Sequence, residues 1–344
     1  MNSLKETSFK NSLFTTIDSS DLIIVHQNIR SLRSNFDDFL VFLESLKRKP
    51  DIIVLTEIWI SDSEVVQYNL PTFLLHVQCN NKYRAGGVAL FVFDQLNCVR
   101  QVKTTMATAD VVHLHFKLER GIAVDLLAVY RLQAFSINMF NDEFQNTLSC
   151  IKSANFIVKG DLNINLLDTS IRSVEDYLIL MASHGLNSLV NEPTRINNHS
   201  ETCIDHVFCR SKFDSSVKYT AEVLKINITD HWMTVLGLNI KNNCISRITK
   251  NCFEHVSVNL NTLKLVVSQE NWLEIYNCTS ISDAFEMFLI KIQSYVSVYT
   301  NCVNVSNKFL KPWVDASIVK AVKEKNNLYK KVVKRPNDVN LNCC

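Results

Sequence analysis

Residues 21–57 read DLIIVHQNIRSLRSNFDDFLVFLESLKRKPDIIVLTE, and this stretch decides the fold. Its first run, Asp21–Val25, is short, apolar and β-branched, which predicts a strand. Phe36, Phe39, Leu40, Leu43 and Leu46 then recur at helical spacing. Ser34 stands where it can cap that helix, with Asp37 and Asp38 in its first turn. Lys47, Arg48 and Lys49 close its last turn, and Pro50 stops it. Ile52–Leu55 follows as a second strand and runs directly into Thr56 and Glu57. Strand, helix and strand in such quick succession point to an α/β arrangement.

The alternation continues to about residue 240. Val88–Phe93 is strand-like, introduced by Gly86-Gly87. In Val111–Leu118 the apolar Val112, Leu114, Phe116 and Leu118 alternate with His113, His115 and Lys117. That pattern predicts a half-buried antiparallel strand with the two histidines on its solvated face, turned by Gly121 into Ile122–Tyr130. Ile137, Phe140, Phe144, Leu148 and Ile151 predict a helix capped by Ser136, and Asn155–Lys159 a strand ending at Gly160-Asp161. A third helix is expected from Ser173 and Val174 to Gly185, and Cys203–Cys209, Val217–Leu224 and Trp232–Ile240 complete the strands. Hairpin-paired and helix-separated strands coexist, so the sheets are mixed. So many strands make one open sheet uncomfortable. The expected fold is therefore α/β (α+β): two mixed sheets packed face to face with helices outside, a four-layer sandwich. It occupies residues 21–240, after an N-terminal extension over 1–20. A helical, basic segment over 241–344 follows, with amphipathic helices on Phe285, Phe288, Leu289 and Ile292 (capped by Ser282) and over Ala316–Val333.

Composition narrows the function. Of 344 residues, 47% are hydrophobic and 20% charged, enough for a real core and incompatible with disorder. No apolar run approaches the ~18 residues of a membrane span, and the N-terminus lacks a signal-peptide core, so neither a membrane nor secretion is expected. Six glycines and no GxGxxG or Walker A pattern argue against a glycine-rich phosphate cradle. Eleven cysteines without a CxxC pair exclude zinc-finger spacing and read as reduced, mostly buried thiols. Cys343-Cys344 reads either as a prenylation signal or as a ragged fragment end. Residues 1–240 carry 22 Lys and Arg against 26 Asp and Glu, whereas 241–344 carry 14 against 8. Acidic residues in one part and a basic tail in another suit a metal-using enzyme joined to a nucleic-acid-facing segment.

The polar residues at strand ends carry the chemistry. Asn28, Glu57, Tyr130, Asp161 with Asn163, and Asp230-His231 each end or adjoin a strand-like run, and Asp205 lies inside one. Strand ends on one sheet edge converge, and several carboxylates with a histidine there suit a hard cation and general acid–base work. Taken singly, each has an ordinary reading. Glu57 is equally a solvated strand end, Gly160-Asp161-Leu162-Asn163 a common turn, and Tyr130 a half-buried strand tyrosine. Asp205 is harder to dismiss, because a carboxylate in a buried strand needs a partner. His206 beside it reads as structural.

In order, the chain contains HQNIRSLRSNFDDFLVFL, PDIIVLTEIWI, RAGGVALFV, AVYRLQ, FIVKGDLNINLL, PTRINNHSETCIDHVF and ITDHWMTVLGL. This series closely resembles the endonuclease domain of jockey-like non-LTR retrotransposons, of the endonuclease/exonuclease/phosphatase family. Apurinic/apyrimidinic endonucleases are its cousins. NWLEIYN, DAFEMFL and KPWVDASIVKAVKEKNNLYKK resemble the linker that precedes the reverse transcriptase in those polyproteins, and the polymerase itself is missing from this sequence.

The resemblance implies a Mg²⁺-dependent DNA endonuclease, with Mn²⁺ as a substitute, that leaves a 3′-OH to prime reverse transcription. It implies Glu57 and Asn28 as metal-site residues, with Asp230 a further acidic position near the leaving group. Asp161 would orient or deprotonate the attacking water, Asn163 and Tyr130 contact the phosphate, and Asp205 pair with His231. It also implies double-stranded DNA as substrate, a reverse transcriptase domain as partner, and a nuclear location. Three positions depart from the pattern. Arg30 stands where repair enzymes carry an aspartate ligand, Leu132 replaces the proline usual after Tyr-Arg, and Thr229 replaces a serine. Arg30 and Arg33, Arg84 and Arg195 mark loops that either grip DNA phosphates or are merely solvated. The basic helix from Lys308 to Arg335 either tracks nucleic acid or packs on the polymerase. Two other readings stay open: a phosphoesterase of the same fold on another phosphate ester, and a non-cleaving fragment that binds DNA or a partner.

Overall fold

The computed structural model describes Ile17 and residues 19–83, 85–96, 99–118, 121–197, 200–210, 217–240, 254–258, 260–298, 300–304 and 316–334. Arg84, nearly all of the N-terminal extension and the terminal Cys343-Cys344 lie outside these residues. The described residues fall into two compact units. One comprises those up to Ile240 together with the helix at 316–334; the other comprises 254–304. The expected 241–344 segment is thus divided between them.

In the first unit, β1 (Leu22–Asn28), β2 (Ile52–Thr56), β3 (Phe73–Gln78) and β4 (Val88–Phe93) precede β5 (Arg100–Val102), β6 (Ala109–Lys117), β7 (Ala123–Arg131) and β8 (Asn155–Asp161). Then come β9 (Leu186–Ser188), the hairpin β10 (Arg195–Asn197) and β11 (Ser200–Thr202), β12 (Asp205–Arg210), β13 (Val217–Leu224) and β14 (Met233–Ile240). Two six-stranded sheets result, in the orders β13-β14-β1-β2-β4-β3 and β5-β6-β7-β8-β12-β9. Each is mixed: β1–β2 and β7–β8 are parallel and their neighbours antiparallel.

Helices α1 (Leu32–Ser45), α2 (Ile137–Cys150) and α3 (Arg172–Ser183) cover the outer faces. Alternation along the strands divides the core. Ile23, Val25, Ile53, Leu55 and Phe91 meet Phe36, Phe39, Phe42 and Leu43 of α1. Ile24, Ile52, Val54 and Leu90 join the cluster that runs through the second sheet to Phe140, Phe144 and Tyr177 of α2 and α3. The four-layer sandwich is the architecture the periodicity predicts.

Local corrections follow from tertiary contacts. Helix α1 begins at Leu32, after Ser31, so Ser34 lies inside it; it ends at Ser45, ahead of the basic triplet. Helix α2 starts as predicted, with Ser136 Oγ accepting from the Met139 amide at 3.2 Å. Helix α3 opens after Ile171, two residues before the expected cap. His113 is not solvated: it is buried, and its Nε2 meets Asp125 Oδ1 at 2.8 Å, while Thr104 meets its Nδ1. His115 reaches the same Asp125 oxygen at 3.2 Å. The outer face of β6 is covered by neighbouring chain that alternation along one strand cannot reveal. The edge strands β3, β5 and β9 were also not predicted, being short or only partly buried.

The second unit pairs β15 (Glu254–Val258) with β16 (Thr300–Asn304) and carries α4 (Leu260–Gln269), α5 (Leu273–Tyr276) and α6 (Ile281–Val298). The predicted amphipathic helix is α6; Phe288 packs on Trp272, and Phe285 is exposed. Helix α7 (Ala316–Lys334) belongs to the first unit, where one of its faces packs on α1 and Tyr329 accepts from Trp232 Nε1 at 3.3 Å.

Candidate active site

Parallel strands that run the same way end on the same edge, and an antiparallel neighbour begins there. This brings Asn28 at the end of β1, Glu57 just past β2, Tyr130 in β7 and Asp161 at the end of β8 to one edge. Asp205 opens β12 there, and Asp230-His231 lead into β14. Register fixes the row: Tyr130 lies opposite Asp161, and Asp161 opposite Asp205. Asp110 of β6 extends the row beside Tyr130 and holds the Gly87 amide and the Asn80 carboxamide, a role no local signal announces.

Side-chain hydrogen bonds gather predicted residues into two clusters, one around Asn28 and Asp161 and one around Asp205 and His231. Asn28 Nδ2 donates to Glu57 Oε1 at 2.9 Å and to Asp161 Oδ2 at 2.8 Å, bridging the two sheets. Burial, with the Glu57 and Asp161 charges beside it, pushes the pKa of the Tyr130 hydroxyl up, so it stays protonated. The Asn163 amide donates to Asp161 Oδ1 at 2.9 Å. His231 Nδ1 lies 2.9 and 3.1 Å from the two Asp205 oxygens, and Thr194 Oγ1, which sequence reasoning missed, donates to Asp205 at 2.7 Å. Glu57 and Asn163 both hold positive φ, 53° and 50°, in the region that side chains other than glycine adopt at a cost.

Burial sets the electrostatics. Asp161 is fully buried, and desolvation, reinforced by the Asp205 charge, pushes its carboxyl up to about 7. Burial alone would lower the His231 pKa, but the Asp205 charge and hydrogen bond outweigh it and push His231 up to about 9. For Asp205 burial acts upward, and the His231 imidazolium, Thr194 and its other partners hold it below the usual carboxylate range. Behind this pair lie two further buried groups. His26, fully buried, is pushed down to about 3 by desolvation and is neutral; Lys159 Nζ donates to Thr234 Oγ1 at 2.9 Å. His206 is structural as predicted, its ring held between the Tyr177 hydroxyl and the Ile164 carbonyl.

The pair makes a pH prediction. A histidine whose folded pKa exceeds 6.5 contributes stability fully below that pH and loses it as pH rises through about 9. In Asp205→Asn the cause of the rise is gone and burial dominates. Imidazole NMR should show His231 titrating at about 9 in the unmutated protein and at about 6.5 or below in the variant. Titration near 6.5 in both would show that the pair does not hold the proton.

The rim is basic. Asp230 lies between two guanidinium groups, 2.7 Å from Arg30 Nη1 and 2.8 Å from Arg195 Nε. The structure therefore places Asp230 in an ion-pair triad rather than in hydrogen-bonding contact with Glu57 and Asn28. Arg33 lies apart from that triad, donating to Glu64 and to the Trp59 carbonyl.

Two donor sets bear on a metal. Asp161, Asp205 and His231 offer ligand atoms within 4.8 Å of one another, a possible acidic and histidine metal site. His231 there is held protonated by Asp205, and a protonated imidazole nitrogen cannot ligate. The oxygen donors Glu57, Asp161 and Asn28, tied together by Asn28 Nδ2, fit a hard divalent cation.

The two-sheet sandwich that carries this acidic, histidine-bearing edge is a fold shared with solved structures. The endonuclease domain of TRAS1, a telomere-specific non-LTR retrotransposon, is similar over 64% of this chain and 99% of that one, at 15% identity and a TM-score of 0.50. The AP endonuclease LMAP from Leishmania major is similar over 64% of this chain and 88% of that one, at 11% identity and a TM-score of 0.53. At these identities the likeness is one of fold. Among curated proteins none matches. Residues 25–231 match the endonuclease/exonuclease/phosphatase family, and the chain belongs to it. Its members are hydrolytic nucleases and phosphatases. Among the described residues no helix is long and apolar enough to cross a membrane.

Proposed function

We propose that the protein is a divalent-metal-dependent DNA endonuclease of the non-LTR retrotransposon kind, nicking double-stranded DNA to leave a 3′-OH that primes reverse transcription. One observation carries this reading: a buried acidic and histidine network opens at a rim where Arg30 and Arg195 flank a single carboxylate. Two arginines spaced on either side of one carboxylate suit phosphates repeated along a backbone better than the single phosphate of a small ester.

A magnesium or manganese ion held by Glu57 and Asn28 would supply charge neutralisation at the scissile phosphate. Asp161 takes a proton from the water whose oxygen forms the new bond to phosphorus; the P–O3′ bond breaks, and the 3′ oxygen takes a proton from solvent, leaving a 3′-OH and a 5′-phosphate. His231, kept charged by Asp205, donates to a phosphoryl oxygen as negative charge builds there, with Asn163 and Tyr130 beside it. Arg30 and Arg195 hold neighbouring phosphates. The polyprotein's reverse transcriptase is the partner, and the chromosome, hence the nucleus, the place of action.

The test is supercoiled plasmid incubated with Mg²⁺ or with EDTA. Open-circle product only with Mg²⁺, extendable by a polymerase from its 3′ end, is the expected result. No nicking by folded protein, or hydrolysis confined to small phosphate esters, would overturn the reading.

A further inference from the structure

Arg131 is a buried arginine whose described partners are carbonyl oxygens, with no carboxylate within ion-pair distance among the described residues. It closes β7, and its guanidinium spans the two loops that leave the catalytic edge. Nε donates to Leu162 O at 2.6 Å and Nη2 to Asn163 O at 3.0 Å, in the loop after Asp161. Nη1 donates to Phe135 O at 2.8 Å, in the loop after Tyr130. The hold is reciprocal: Asn163 Nδ2 donates to the Arg131 carbonyl at 3.1 Å, and Gln133 Nε2 donates to Asn163 Oδ1 at 2.7 Å. Both ends of the Asn163 carboxamide are thereby fixed, on a residue whose φ of 50° needs outside support. An amide nitrogen has two N–H groups, so one remains for a phosphoryl oxygen.

We propose that Arg131, assisted by Gln133, is a positioning residue for phosphodiester hydrolysis that acts through Asn163. This rests on the endonuclease reading above. The planar fork is what the task requires: it meets carbonyls on both loops at once, which the single point of a lysine ammonium cannot do. Gln133, two residues along, supplies the second arm of the clasp.

The test is a double-mutant cycle on duplex nicking with Mg²⁺. Arg131→Lys should lower kcat by about tenfold to a hundredfold, with KM within about twofold and the melting temperature little changed. In an Asn163→Ala background the same change should cost less than about twofold. Gln133→Ala, an exposed substitution that serves if Arg131→Lys does not fold, should show the same collapse. Losses that multiply in the double variants, or that fall on KM alone, would overturn the clasp. Unmutated protein that does not nick would sink the endonuclease reading instead. Hydrogen exchange then decides the clasp: Arg131→Lys should speed exchange at residues 162–164 without a change in global stability, and unchanged exchange there would overturn it.

Discussion

Asp161→Ala should lower the rate of DNA nicking by at least about 10³-fold while leaving the protein folded. The carboxylate is fully buried, aimed by Asn28 Nδ2 and the Asn163 amide, and faces Asp205 across the β8–β12 ladder. Few positions could deprotonate a water there, and a carboxyl pushed up to about 7 is a far better base at neutral pH than an ordinary one. The stability effect runs the other way. An acid whose folded pKa lies above its unfolded value loses native stability as pH rises from about 4 to about 7. Asp161→Asn removes that ionisation, so at pH 8 the variant should melt at or above the temperature of the unmutated protein. Single-turnover nicking and thermal melts on the same preparations check both halves. Residual activity above about a tenth, or a clearly lower melting temperature, would show that Asp161 is structural and not the base.

Gly160→Ala, one residue earlier, should have the largest effect on stability, at least about 4 kcal/mol, or should fail to accumulate as folded protein. A Cβ built on Gly160 would lie 1.9 Å from the Val129 carbonyl oxygen and 2.9 Å from its carbonyl carbon and amide nitrogen, all backbone of β7. The φ of 150° adds strain. No rotamer change relieves a clash with backbone, so β7 and β8 would have to part where Tyr130 and Asp161 are aligned. Gly121→Ala is the control. It also has positive φ, 71°, but no atom lies within 4 Å of the added carbon, so it should cost about 1 kcal/mol. Urea unfolding of the two variants separates the cases. A Gly160→Ala protein within about 1 kcal/mol of the unmutated one would refute the close approach.

The site was legible to the extent that its residues sit at the ends of apolar runs. Asn28, Glu57, Asp161 and Asp205 could be read in this way; the structure hydrogen-bonds the first three together and sets Asp205 opposite Asp161 on the neighbouring strand. The sequence could not say how each carboxylate is used. Asp230 reads like any other acid beside a strand, yet two arginines neutralise it, one of them from a hairpin that sequence periodicity missed. Arg131 carries no signal in the sequence and is buried. Gly160 reads as a turn and is a point of close strand contact.

By itself, the sequence determined the strand–helix–strand opening, α2 with its Ser136 cap, the bounds of β4 and β13, and the sandwich class. These depend on side-chain period and capping, which act over a few residues. The tertiary structure alone decided that His113 turns inward to Asp125 and that Asp161 and Asp205 share a rung. It alone placed α7 against α1 and the Arg131 fork between two loops. Each of those contacts joins residues distant in the chain, and register, burial and charge pairing at such distances are settled only when the sheets have packed.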